Sequence, residues 1–448
     1  VNRTPTPLSR RRVTVMGLGR FGGGVGVTRF LAEHDARILL TDTLDQDRLG
    51  PSLDSLRDLI DDGRIELRLG EHREDDFTSA DLVVVNPAVN PATNAYTRAA
   101  SNAGVPLTSE IRLLIERLPT PHVLGITGSA GKSTTTVMLH HALVDALGDE
   151  RVWLGGNLGG SLLMDLPRIQ PDHRVVLELS SFMLDGLRHD RWSPRVAVVT
   201  NLHPNHLDWH GSFEHYADSK QQILEHQQPH DAAVLGSSCA DRLRPRTPRV
   251  VWSDTSWVES QWLPPLRVLG EHNRANARLA IEAAGQTGFD RNAAAASLAT
   301  FNGLPHRLRV IGEREGVRFV DDSKSTTPEA AILAIDACRS DFPDARLHVI
   351  LGGYDKGADL APLARHAAAH THAIYAIGQT GPSILDAAQG QDAECVDAQT
   401  VADAVTHALG HTTPGDVVLL SPGCASWDQF TNYEQRGRAF AEAAGCAQ

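Results

Sequence analysis

Short runs of β-branched and aliphatic residues recur along the chain, each ending in a polar or glycine-rich turn. Residues 13–16, 37–41 and 81–85 read as buried strands, and so do 123–126, 174–178 and 196–200. The same pattern returns at 318–320, 347–351, 373–377 and 417–420. Between these runs lie stretches of helical length, among them 22 to about 34, 135–147 and the alanine-rich segments around Ala280 and Ala293 to Ala296. Strands without polar alternation, separated by helices, predict an α/β protein with largely parallel sheets. Pro119-Thr-Pro121 reads as one linker and Gly303-Leu-Pro305-His306-Arg307 as a second boundary. Three domains are therefore expected, 1–118, 119–303 and 304–448. The first is a Rossmann-like unit, the second is organised around a phosphate loop, and the third is again α/β.

Composition narrows the class. The chain has 448 residues, which is too long for one ordinary core. With 41% hydrophobic and 22% charged residues it reads as soluble and globular. No apolar run approaches the roughly 18 residues of a membrane span, so no membrane insertion is expected. A formal charge of −13 argues against a nucleic-acid surface. Five cysteines without a CxxC pair fit a reducing compartment and no thiolate metal site. Ser9-Arg10-Arg11-Arg12 resembles a twin-arginine export signal, but the apolar run after it stops at Met16. A cytoplasmic protein is expected.

The strongest chemical signal is Gly125-Ile-Thr127-Gly128-Ser129-Ala130-Gly131-Lys132-Ser133-Thr134, between a strand and a helix. Glycines let backbone N–H groups converge on a phosphate, the helix N-terminus favours its charge, and Lys132 adds a cation. The Ser133 hydroxyl suits Mg²⁺. ATP or another nucleoside triphosphate follows. Gly17-Leu18-Gly19-Arg20-Phe21-Gly22 opens the first unit, with Asp42 and Thr43 after the second strand and Asn86 after a later one. That outline suits NAD or, equally, the diphosphate and ribose of a UDP-sugar. Glu178, at a strand tip downstream of the phosphate loop, is a candidate Mg²⁺ ligand. His203, His206, His210 and His215 with Asp208 lack zinc spacing, and Pro204 breaks any helix aligning the first two. One histidine assisting Mg²⁺ is the preferred reading. Lys220 taken alone reads as a solvated helix lysine. Asp322-Ser-Lys-Ser-Thr326, the glycine-rich turn at Lys356 and the stretch from Ser421 to Arg436 follow successive strands, as one small-molecule pocket would require.

Taken together these motifs resemble the Mur ligases, from about Val13 to about Phe440. The likeness rests on Thr-Gly-Ser-x-Gly-Lys-Ser-Thr, Gly-Gly-Asn157, Leu-Glu178-Leu-Ser-Ser-Phe, and His206-Leu-Asp at its distance from Lys220. It continues through His-Asn273-x-x-Asn276, Pro-His306-Arg307, Asp322-Ser-Lys, Asp-Lys356-Gly and Ala-Ser426-x-Asp-Gln-Phe. The last of these, with the dinucleotide-type first unit, points to the member that adds D-glutamate to UDP-N-acetylmuramoyl-L-alanine. The resemblance implies a Rossmann-like first domain, a central P-loop ATPase and a Rossmann-like C-terminal domain, together forming a monomeric ATP-dependent ligase that acts through an acyl phosphate in peptidoglycan synthesis. It implies Ser133, Glu178, His206 and Lys220, the last carbamylated, as Mg²⁺ ligands. It places ATP on Gly128 to Thr134, Asn273, Asn276, Arg307 and Asp322. The UDP-substrate falls on Gly17 to Gly22, Asp42, Thr43, Asn86, Asn157 and His206, and D-glutamate on Thr326, Lys356, Ser426, Trp427 and Tyr433.

Four positions depart from the family pattern. Ala130 replaces an asparagine of the loop, Asn205 stands where an acid is common, Trp427 and Tyr433 change the expected amino-acid pocket, and the turn Gly22-Gly-Gly24-Val-Gly26 is unusually rich in glycine. An NAD-dependent oxidoreductase would leave the phosphate loop unexplained, and a folylpolyglutamate-synthetase-like ligase should lack the first unit. A ligase adding a diamino acid should carry an Asp-Asn-Pro-Arg signature, which is absent. A nucleotide-binding module without catalysis would not need three polar strand-end motifs in its last segment.

Overall fold

In the computed structural model, residues 5–19, 23–252 and 263–446 are described. Arg20, Phe21 and Gly22 lie outside the described residues. The chain divides into two compact units, Val1–Trp262 with Asn276–Ala295, and Leu263–Ala275 with Ala296–Gln448.

The first unit holds two sheets. Strands β1 (Arg12–Met16), β2 (Arg37–Asp42), β3 (Ile65–Leu69), β4 (Leu82–Val85) and β5 (Leu107–Thr108) form a parallel sheet in the order β3-β2-β1-β4-β5. Strands β6 (Val123–Thr127), β7 (Val152–Gly156), β8 (Arg174–Glu178), β9 (Val196–Val199), β10 (Ala232–Leu235) and β11 (Val250–Trp252) form another in the order β11-β10-β9-β6-β8-β7, also parallel. Strand order reverses at β1 and at β6. In such sheets ligands collect beyond the carboxyl ends of the strands at the reversal. The glycine-rich turn of 17–19 and the phosphate loop follow these two strands.

The second unit holds β12 (Arg309–Arg314), β13 (Val317–Asp321), β14 (Leu347–Gly352), β15 (Ala373–Ile377), β16 (Glu394–Gln399) and β17 (Val417–Leu420), ordered β12-β13-β17-β14-β15-β16. Only the β12–β13 pair is antiparallel, a hairpin turning at Glu315-Gly316. Helices cover both faces of this sheet, giving two apolar cores, one around Val349 and Ala364 and one around Phe319 and Phe440. Two buried faces explain why the strands read as unbroken apolar runs. Strands β3, β12 and β16 escaped the sequence pattern because they are edge strands with exposed polar residues.

The surplus of glycine after β1 has a packing reason. The helix Gly23–Glu33 starts directly over the Leu18 carbonyl, which accepts the Gly24 N–H, and a Cβ at Gly24 would overlap Leu18 backbone. At Gly26 the helix meets the Ser161 side chain. Replacing Gly24 with alanine should lower the unfolding free energy by about 1–3 kcal/mol, the usual cost of overpacking, as read from denaturant unfolding.

Candidate functional site

The phosphate loop is shaped by its neighbours as much as by its own glycines. Gly131 has φ +79°, and a Cβ there would collide with the Asn276 side chain. The helix then begins at Lys132. Behind the loop, the Ala130 N–H donates to Asn201 Oδ1 (2.9 Å), and the Ala130 carbonyl accepts from Asn201 Nδ2 (3.0 Å) and Thr200 Oγ1 (2.5 Å). The Ser129 N–H donates to the Asn201 carbonyl, and its hydroxyl links the His203 backbone with the Tyr216 hydroxyl. The Ala130 peptide, with no polar side chain of its own, is thus held by Thr200 and Asn201, the two residues that follow β9. The sequence signal for Asn201 was its place just past a buried strand at the reversal point.

Lys220 is not a solvated lysine. Its helix, Phe213–Glu225, is capped by Ser212, whose hydroxyl accepts the His215 N–H, and Lys220 is only 1% exposed. Its Nζ donates to the Gly128 carbonyl (2.9 Å) and Thr127 Oγ1 (3.2 Å), and lies 4.7 Å from the centre of the Tyr216 ring. Lys132 Nζ donates to the same Gly128 carbonyl (3.0 Å). Burial first, then the charge of Lys132, pushes the Lys220 ammonium well below the ordinary lysine range, against the opposing pull of Glu178. A lone lysine in a helix is usually wet; here the helix lays Lys220 against Thr127, Gly128 and the Tyr216 ring, where it is buried.

Glu178 ends β8 and is 1% exposed. Its Oε1 accepts from Asn157 Nδ2 (2.6 Å), while its Oε2 is buried with no hydrogen-bond partner. A buried carboxylate oxygen without a donor suits a cation, and with the Ser133 hydroxyl in the first helical turn the donor set fits Mg²⁺. No three His, Cys, Asp or Glu side chains among the described residues converge on one metal-sized point. His206 stands at φ +51° before the short helix Leu207–His210, its ring edge-on to Phe182. Burial, then Lys132, lowers its pKa, which favours the neutral imidazole. The rings of His210 and His215 are bonded elsewhere. His210 shares a hydrogen bond with Ser181 and His215 pairs with Asp185, which also takes the Ser219 hydroxyl.

At the first sheet, Asp42 Oδ2 accepts the Leu18 and Gly19 N–H groups (2.9 and 3.3 Å) and Oδ1 accepts that of Leu44. Its carboxylate therefore clasps the glycine turn. Asn86 lies against Gly17 and Gly19 from the end of β4, and Thr43 is exposed beside them.

In the second unit, a cavity of about 210 Å³ is lined by Thr326, Glu329, Tyr354, Lys356, Thr380 and Cys424, among others. Of the five residues expected to hold D-glutamate, Thr326 and Lys356 line it. Trp427 packs on Lys356, Ser426 is buried, and Tyr433 faces Lys324 and His306 instead. Asp322 has both oxygens engaged, by Ser421 Oγ (2.7 Å) and the Leu308 N–H (3.0 Å), and burial raises its pKa to about 7. Arg307 Nε is buried without a partner, which suits an anion, and Asn273 donates to the Leu269 carbonyl. Arg436 carried no sequence signal, since a helix arginine is usually exposed. It is fully buried and donates to Ser323 and to the Cys424 and Ala425 carbonyls, so one side chain ties two of the three strand-end motifs together.

Three family profiles match the sequence. They are described as Mur ligase MurD-like, N-terminal domain (residues 11–109), Mur ligase middle domain (126–251) and Mur ligase, glutamate ligase domain (306–424). The UDP-N-acetylmuramoylalanine–D-glutamate ligase of Roseiflexus sp. (strain RS-1) is 38% identical over 97% of this chain and 98% of its own. That of Pelotomaculum thermopropionicum is 35% identical, over 97% of each. Among solved structures, the UDP-N-acetylmuramate-alanine ligase of Thermotoga maritima superposes with a TM-score of 0.59 at 18% identity, covering 97% of this chain and 99% of that one. At that identity the likeness concerns the fold.

Two outcomes follow from this geometry. Gly131→Ala should weaken ATP binding by about tenfold or more in calorimetry, since a left-handed non-glycine residue costs about 1–3 kcal/mol. Asp322 holds its proton more tightly when folded than its ordinary value of 3.8, so its contribution is full below about pH 4 and is lost as pH rises to about 7. Asp322→Asn should flatten that fall in unfolding free energy measured across the same range.

Proposed function

Because this chain belongs to the Mur ligase family, we propose that it joins D-glutamate to UDP-N-acetylmuramoyl-L-alanine at the expense of ATP, in peptidoglycan precursor synthesis. The observation that carries the ligase reading is the gathering of Lys132 and Lys220 on one phosphate-loop carbonyl, with Glu178, whose Oε2 is buried without a hydrogen-bond partner, on the strand beside that loop. In this reading the substrate carboxylate takes the γ-phosphoryl group of ATP. The D-glutamate amine attacks the acyl phosphate, and the tetrahedral intermediate expels phosphate.

Lys132 and the helix N-terminus neutralise charge on the transferring group, and the Asn201 clamp holds the loop that presents them. Ser133, Glu178, His206 and Lys220 would hold Mg²⁺, which when bound supplies further charge neutralisation on that group. Lys220 does so as a carbamate. Its neutral amine adds to carbon dioxide and loses one proton, and the depressed proton affinity of the buried amine supports that step. The residues expected to serve ATP are Gly128 to Thr134, Asn273, Asn276, Arg307 and Asp322, the last by holding the 308 segment. Gly17 to Gly22, Asp42, Thr43 and Asn86 receive the UDP moiety, with Asn157 and His206 at the muramoyl-alanine end. Thr326 and Lys356 take the amino acid, Lys356 pairing a carboxylate, with Ser426, Trp427 and Tyr433 around them. Three domains at 1–118, 119–303 and 304–448, a monomer and a cytoplasmic setting complete the reading. No helix of the described residues is long and apolar enough to cross a membrane.

Phosphate release should require ATP, Mg²⁺, UDP-N-acetylmuramoyl-L-alanine and D-glutamate, with a product heavier by one glutamyl residue. L-glutamate, L-lysine or no amino acid should give none, and release with L-lysine would overturn the assignment. Intact-protein mass spectrometry with bicarbonate should show one added carbon dioxide, absent in Lys220→Met. That variant should lose at least about 100-fold in turnover.

A further inference from the structure

Trp427 is the most exposed large apolar side chain among the described residues, at 61%, yet its neighbours in the chain are held in place. Just before it, the Ala425 carbonyl accepts from the Tyr354 N–H and from Arg436, and Ser426 is buried. Just after it, Asp428 Oδ2 accepts the Gln379 N–H (3.0 Å). The ring lies 5.6 Å from that of Tyr354, itself 38% exposed, and Lys356 Nζ sits 4.6 Å from the indole centre. An anchored loop thus holds a large aromatic face in water with an ammonium group over it. Burying the indole would release more free energy than leaving it wet, so packing does not account for its place. An indole face is the strongest aromatic partner for a cation, and it restrains a lysine whose four-carbon stem is otherwise free. Trp427 does not line the 210 Å³ cavity, whereas Lys356 does.

We infer that Trp427 is a positioning residue for amino-acid recognition, acting through Lys356: its ring face holds the ammonium at the cavity, where it pairs with a carboxylate of the incoming amino acid. The inference rests on the ligase reading and assigns the tryptophan a role distinct from direct substrate contact.

The test is a series of Trp427→Tyr, Trp427→Phe and Trp427→Leu, each also made with Lys356→Gln. D-glutamate affinity is read both from KM and from calorimetry, alongside kcat and the KM for ATP. With Lys356 present, KM for D-glutamate should rise in the order Trp, Tyr, Phe, Leu, reaching about 2–5-fold for leucine. The KM for ATP and the melting temperature should stay level, and any fall in kcat should be smaller than the rise in KM for D-glutamate. With Lys356→Gln the graded effect should vanish, because a residue acting through another has nothing left to act on. If Trp427→Leu matches wild type, or if its effect persists beside Lys356→Gln, the inference fails while the ligase reading stands. If Lys356→Gln itself leaves D-glutamate affinity unchanged, the cavity assignment falls and the inference with it.

Discussion

Two lysines donate to one carbonyl. Lys132 and Lys220 both reach the oxygen of Gly128, at 3.0 and 2.9 Å, and two full positive charges so close repel strongly in a buried setting. Lys220 is the more deeply buried of the two, and burial together with the charge of Lys132 makes it lose its proton more readily than an ordinary lysine. Much of the first unit serves this arrangement. The helix that carries Lys220 is tied through Ser219 and His215 to Asp185, on the helix that follows Glu178. The carboxylate, the buried amine and the loop are thereby held in one frame.

The same economy recurs at the other strand ends. Asp42 closes the glycine turn after β1 by accepting two successive N–H groups, and Asn201 brackets the peptide of Ala130 with both ends of its amide. Arg436 does this for the second unit with three bonds donated to backbone carbonyls, although burial lowers its pKa to about 10. Each is a polar side chain satisfying backbone groups that irregular turns leave without a sheet or helix partner. The turns can then be shaped for ligands and still be stable.

Several positions that stand out in the sequence have local physical accounts. Ala130 needs no side-chain contact because Asn201 grips its backbone. Gly24 and Gly26 let the first helix crowd Leu18 and Ser161. Trp427 gives a cation a resting face. The Tyr433 ring faces Lys324 and His306, neither of which lines the cavity.

The sequence by itself determined the class of fold and the chemistry of the phosphate loop. Unbroken apolar runs demand doubly covered parallel strands, and a glycine-rich turn before Lys-Ser-Thr at a helix start has few other uses. It also marked Glu178, Lys356 and the strand-end motifs, because their neighbours in the chain define where a strand stops. Only the tertiary structure decided the state of Lys220, the clamp by Asn201, the burial of Arg436 and the seat of Trp427. Those properties depend on which side chains meet from distant segments: burial, charge proximity and ring contact are set by packing across elements, and local sequence does not encode them.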